Sequence, residues 1–149
     1  MPTRREMMIG GAAIAAASLL DAPGVLADNQ IEAAIRQRTG GAAVHSGRVT
    51  LGIPQIAENG LAVFTTVEVE SPMTAGEHVK AIHLLSEKNP IPHITTFWLG
   101  PRAGRARVST NIRLAASQKV VALAEMNDGS FWADEKSIVV TIAACIDGG

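Results

Sequence analysis

The chain has 149 residues, enough for one domain, and is 47% hydrophobic and 18% charged. Its formal net charge of -1, with no run of like charge, argues against a nucleic-acid surface or a polybasic membrane patch. Aromatic residues make up only 3%, with no tyrosine, which argues against a stacking platform for sugars or bases.

The first residues read as a targeting segment. Arg4-Arg5 precede an apolar run from Ile9 to Leu20, and Val25-Leu26-Ala27 ends it on small residues. A charged start, a short apolar stretch and a small-x-Ala site make a signal peptide over residues 1–27. The run is too short to span a bilayer. The paired arginines and the weakly apolar, Ala/Gly-rich run resemble a twin-arginine signal, which exports proteins already folded. No cysteine follows Ala27 directly, which excludes a lipoprotein anchor.

A folded domain is expected over residues 28–144. Asp28 is placed to cap a short helix carrying Ile31, Ala34 and Ile35, and Gly40-Gly41 end it. Strands follow. Val49, Leu51 and Ile53 alternate, and Glu58-Asn59-Gly60 reads as a turn. Val63, Thr65, Val67 and Val69 alternate against a polar face, predicting a half-buried strand. Val79 to Leu85 and His93 to Leu99 are the next two, separated by the rigid Lys88–Pro92 loop. Arg105 to Leu114 has the cleanest alternation, with Ala106, Val108, Thr110, Ile112 and Leu114 on one face. Lys119 to Met126 leads through Asn127-Asp128-Gly129, a hairpin turn, to Phe131-Trp132 and then to Ile138–Ala144. About seven short strands with regular turns predict an all-β fold, an immunoglobulin-like antiparallel β-sandwich preceded by a short N-terminal helix.

Few residues offer chemistry. His45, His78, His83 and His93 show no metal-ligand spacing, and Cys145 has no C-x-x-C or C-x-x-H companion. Each histidine reads as a surface or strand residue, and no metal or other cofactor is expected. An iron-binding sandwich of the superoxide-reductase kind would want a histidine shortly after the cysteine, where this chain has Ile146-Asp147-Gly148. Arg105, Arg107 and Arg113, with Arg102 nearby, read as a solvated strand face or as an anion-attracting or partner-binding surface. What remains is Cys145, the single cysteine, on a tail ending in Gly148-Gly149. An unmated cysteine in an exported protein points to an intermolecular bond or a working thiol. The alternative is a strand-end cysteine that packs as a small hydrophobe.

Several stretches resemble the SoxY-type sulfur carriers of periplasmic thiosulfate oxidation. These are Pro54–Gly60, Ser71-Pro72-Met73-Thr74, Val79–His83, Glu87–Pro90, Val108–Ala115 and Val121–Phe131. The resemblance implies a non-catalytic carrier that pairs with a SoxZ-type subunit and holds sulfur covalently on Cys145. It implies partner enzymes too. A c-type haem enzyme conjugates thiosulfate to the thiol, and a dimanganese hydrolase releases sulfate. In some systems a molybdenum-haem sulfane dehydrogenase oxidises the sulfur left behind.

The carrier tail, residues 145–149, departs from the family's usual Gly-Gly-Cys-Gly-Gly arm. Ala143 and Ala144 precede Cys145, and Ile146 and Asp147 separate it from Gly148 and Gly149. Alanine narrows the backbone freedom that glycine allows. Asp147 sets a negative charge near the thiol and disfavours the thiolate. The competing expectation is a divergent, non-carrier sandwich whose Cys145 only forms an intermolecular disulfide.

Overall fold

The computed structural model describes residues 23–142, with side chains from Gln30 onward. Nine strands and one helix are present among them. The helix α1 spans Pro23–Thr39. It begins upstream of the expected cap, so Asp28 lies inside it, and so does the Ala27/Asp28 boundary. Proline at the first helical position is preorganised for helix, and nothing between it and Ile31 breaks the run. Gly40 (φ 64°) and Gly41 (φ 88°) close the helix in the left-handed conformation that glycine adopts without strain.

The strands are β1 (Val44–His45), β2 (Val49–Gly52), β3 (Ile56–Asn59), β4 (Val63–Val69), β5 (Val79–Ser86), β6 (His93–Trp98), β7 (Ala106–Ile112), β8 (Gln118–Met126) and β9 (Phe131–Ile142). One sheet runs β1-β9-β8-β5-β6, and the other β2-β4-β7. The seven expected strands are all present and pair antiparallel with one another. Two short strands add to them. Both β1 and β3 lie parallel to β9, β1 beside Phe131-Trp132 and β3 beside Val139–Ile142. The sandwich is therefore antiparallel with a parallel margin. Glu58 and Asn59 belong to β3, and the turn starts at Gly60.

A second correction concerns β9. The return strand was expected to start at Phe131-Trp132 and to be completed from Ile138, with Ala133–Lys136 left unassigned between them; these four residues belong to the strand too. Its charged residues find partners at the sheet margin. Asp134 accepts a hydrogen bond from the Leu51 amide (2.9 Å), and Glu135 pairs with Lys119 (3.6 Å). Residues 143 and 144, expected at its end, lie outside the described residues.

The core lies between the sheets. Val63, Val67, Val69, Leu51 and Ile112 from the small sheet meet Ile82, Leu84, Val120, Ala122, Met126, Ile138 and Val140 from the large one. The outer face of the large sheet is covered in part by α1, whose Ile31 packs with Leu85 and Val121. That cover explains why β5 is buried on both faces, with only Lys80 exposed.

Candidate functional site

The tail residues Ala143, Ala144, Cys145, Ile146, Asp147, Gly148 and Gly149 lie outside the described residues. The structure does show what they grow from. Val140 is the last buried residue of β9. Its amide donates to Ser117 Oγ (2.8 Å), and the Ser117 hydroxyl donates back to its carbonyl (3.3 Å). Beyond it, Thr141 and Ile142 are exposed, and Ile142 is 66% exposed.

These two residues are held by polar contacts with β3 and the turn after it. Thr141 Oγ1 donates to the Glu58 carbonyl (3.0 Å), and the Gly60 amide donates to the Ile142 carbonyl (3.1 Å). The other side of the junction is itself fixed. Leu61 N–H donates to Asn59 Oδ1 (2.8 Å), and Leu114 N–H donates to the Gly60 carbonyl (2.8 Å). Ile56 and Val139, partners in register, are both exposed at this margin. Two residues, Ala143 and Ala144, separate Ile142 from Cys145, so covalent geometry puts the Cys145 Cα within about 11 Å of the Ile142 Cα.

The four arginines singled out in the sequence do not form one cationic site. Arg105 lies 3.0 Å from Glu68 and Arg107 lies 3.9 Å from the same carboxylate. Arg102 sits on the 3-10 turn Pro101–Ala103 after β6. A cleft of about 420 Å³ between α1 and the loop before β6 is lined by Gln30, Ala34, Pro90, Ile91 and His93, none of them on β9.

One cluster was not anticipated. His83 and His93, which read as separate strand residues, meet through Thr96. Nδ1 of His83 and Nε2 of His93 each lie 2.8 Å from Thr96 Oγ1, which can donate to one and accept from the other. His83 is 2% exposed, and its Nε2 has no hydrogen-bond partner. The nearest acceptor, Glu125 Oε2, stands 3.7 Å away, too far for a hydrogen bond. Burial first, then the Arg38 guanidinium, holds His83 below the usual histidine range, against the pull of Glu125. Burial and Arg38 act on His93 in the same direction. The available signal was strand parity. The β5–β6 register sets His83 opposite Thr96 and Leu85 opposite His93, so all four share the outer face. Among the described residues, no three His, Cys, Asp or Glu side chains converge as a metal site.

A family model described as "Sulfur oxidation protein SoxY" matches residues 35–145. The chain belongs to the SoxY family. Membership makes it a sulfur-oxidation protein. Among solved structures, the sulfur carrier protein SoxY from Chlorobium limicola f thiosulfatophilum superposes with a TM-score of 0.67 at 22% identity, covering 78% of this chain and 96% of that one. Superoxide reductase (neelaredoxin) from Ignicoccus hospitalis gives 0.58 at 16% identity, covering 65% and 94%. A superoxide reductase-like protein from Thermotoga maritima gives 0.54 at 20% identity, covering 66% and 87%. At these identities the likeness is one of fold, and it supports the immunoglobulin-like sandwich. No curated protein matches.

Proposed function

We propose that this SoxY-family chain carries thiosulfate-derived sulfur covalently on Cys145 and presents it to partner enzymes. The observation that carries the reading is where the family match ends: on residue 145, the cysteine itself. Strand β9 supports it by leading the chain out of the core just before that residue. The chemistry balances as follows. The Cys145 thiolate and thiosulfate form an S–S bond, giving a cysteine S-thiosulfonate, and two electrons leave to a c-type haem enzyme. Water then cleaves the sulfur–sulfonate bond at a dimanganese hydrolase, releasing sulfate and two protons and leaving a persulfide. A sulfane dehydrogenase would act on that sulfur. The carrier itself needs only an accessible thiolate that can be exchanged.

The same reading puts the protein in the periplasm, exported through Arg4-Arg5 and paired 1:1 with a SoxZ-type subunit. Lysines in place of both arginines should trap the precursor inside the cell. The direct test is intact mass after incubation with thiosulfate and the conjugating enzyme, with and without reductant. A reductant-labile adduct on the native chain, absent from Cys145→Ser, is expected. An unmodified Cys145 under conditions that load a Gly-Gly-Cys-Gly-Gly carrier would refute the reading.

The altered arm favours a second reading, a sandwich that retains the fold while Cys145 serves only an intermolecular disulfide. A stable dimer linked through Cys145, with no sulfur adduct, would select it. Asp147→Gly should speed thiol alkylation at neutral pH, because removing the carboxylate favours the thiolate.

A further inference from the structure

We propose that α1 is an acid-released cover on the large sheet, seated while His83 and His93 are neutral and displaced when both gain protons. The pair lies on the outer face of β5 and β6, the face on which α1 packs. His93 is half-buried and lines the cleft between α1 and the loop before β6, so protons from solvent reach it. His83 stands behind it, 2% exposed, and the Thr96 hydroxyl joins the two at 2.8 Å from each. With both rings neutral, that hydroxyl donates to one and accepts from the other. With both charged, every ring nitrogen is a donor and the hydroxyl proton loses its acceptor. The Nε2–H of a charged His83 is no better served. Glu125 Oε2 stands 3.7 Å away, and Lys80 holds the other carboxylate oxygen at 3.2 Å.

The charged groups around the pair are Arg38 from α1, Glu125 from β8 and Lys80 from β5. Acid therefore sets His83, His93, Arg38 and Lys80 against Glu125 alone, and of these only Arg38 rides on a helix. The hold of that helix is light. Among its described residues Ile31, Ala34 and Ile35 pack with Leu85, Val121 and Ala133, a cluster apart from the main core. Gly40 and Gly41, left-handed and with open space around them, link the helix to β1 and let it swing without moving a strand. Burial first, and then Arg38, hold both histidines below the ordinary range while the helix is seated. Release exposes the pair and takes Arg38 away, so the released state binds protons more readily. Seating is then fully favoured above about pH 6.5, the ordinary histidine value, and is lost as pH falls toward the values held in the seated state.

The test is amide hydrogen exchange on the full chain at about pH 7.5 and about pH 5.5, either side of the ordinary histidine value, corrected for the intrinsic pH dependence of exchange. The amides of residues 34–39 should lose protection at the lower pH, while those of Leu84 and Leu123, in the strands beneath, keep theirs. The loss should disappear when His83→Gln and His93→Gln are combined. It should shrink in Arg38→Gln, because the released helix then carries no cation away. Should the double histidine variant fail to fold, Arg38→Gln decides alone, since that side chain is only half-buried on the helix. Protection of residues 34–39 that ignores pH would overturn the proposal. So would an undiminished loss in Arg38→Gln, or an equal loss at Leu84 and Leu123, which would mean that acid unfolds the whole domain rather than lifting α1. No cargo enters these measurements, so their outcome is independent of the role of Cys145.

Discussion

The middle of the large sheet and the end of its longest strand are built from similar residues and held in different ways. In β5 and β8, Ile82, Leu84, Leu85, Val120 and Leu123 are almost completely removed from water, packed between the small sheet on one side and α1 and the sheet's outer layer on the other. At the end of β9, Val139 and Ile142 are equally apolar yet more than half exposed, and backbone pairing with β3 holds them. Apolar burial is cooperative and costly to undo, whereas exposed hydrogen bonds are nearly exchanged for bonds to water. The difference shows where stability rests on burial and where it rests on backbone pairing alone.

The largest effect should come from cutting into the centre. Leu84→Ala is expected to lower the unfolding free energy by about 2–5 kcal/mol, the usual cost of a buried leucine and its cavity. Urea titration reads it. If Leu84→Ala costs no more than a change at Ile142, the contrast between the two regions fails. A smaller effect is expected at the boundary between them. Ser117→Ala strips Val140 of both its hydroxyl contacts and should cost about 1–2 kcal/mol.

Acid should act on the centre before the margin. His83 and His93 have folded values held below the unfolded one, so below about pH 6.5 the unfolded chain binds protons first. Their contribution is present above that pH and is lost as pH falls toward the folded values. Stability should therefore decline on acidification, and His83→Gln should flatten the slope, leaving the share of His93. An identical slope in wild type and His83→Gln would remove the buried histidine from the account. The smallest effect belongs to the end of β9. Ile142→Ala should change stability by no more than about 0.5 kcal/mol, as exposed positions do.

Much of the sandwich was legible because it rests on local patterns. The period-two alternation of β4 and β7 and the Asp-Gly turn before β9 each follow from a few neighbouring residues. Strands β1 and β3 were not legible. They are two and four residues long, and their pairing energy comes from β9, far along the chain. The place of Ala133–Lys136 in β9 was not assigned for the same reason, since the contacts of Asp134 with Leu51 and of Glu135 with Lys119 come from other strands. The identity of Cys145 as the candidate thiol came from sequence alone, because a single cysteine needs no fold to be counted. Tertiary structure alone decided that His83 and His93 share Thr96, and that the chain leaving the core is held by β3 until Ile142. Both depend on register between strands that the sequence separates, and register is settled only when the strands pack.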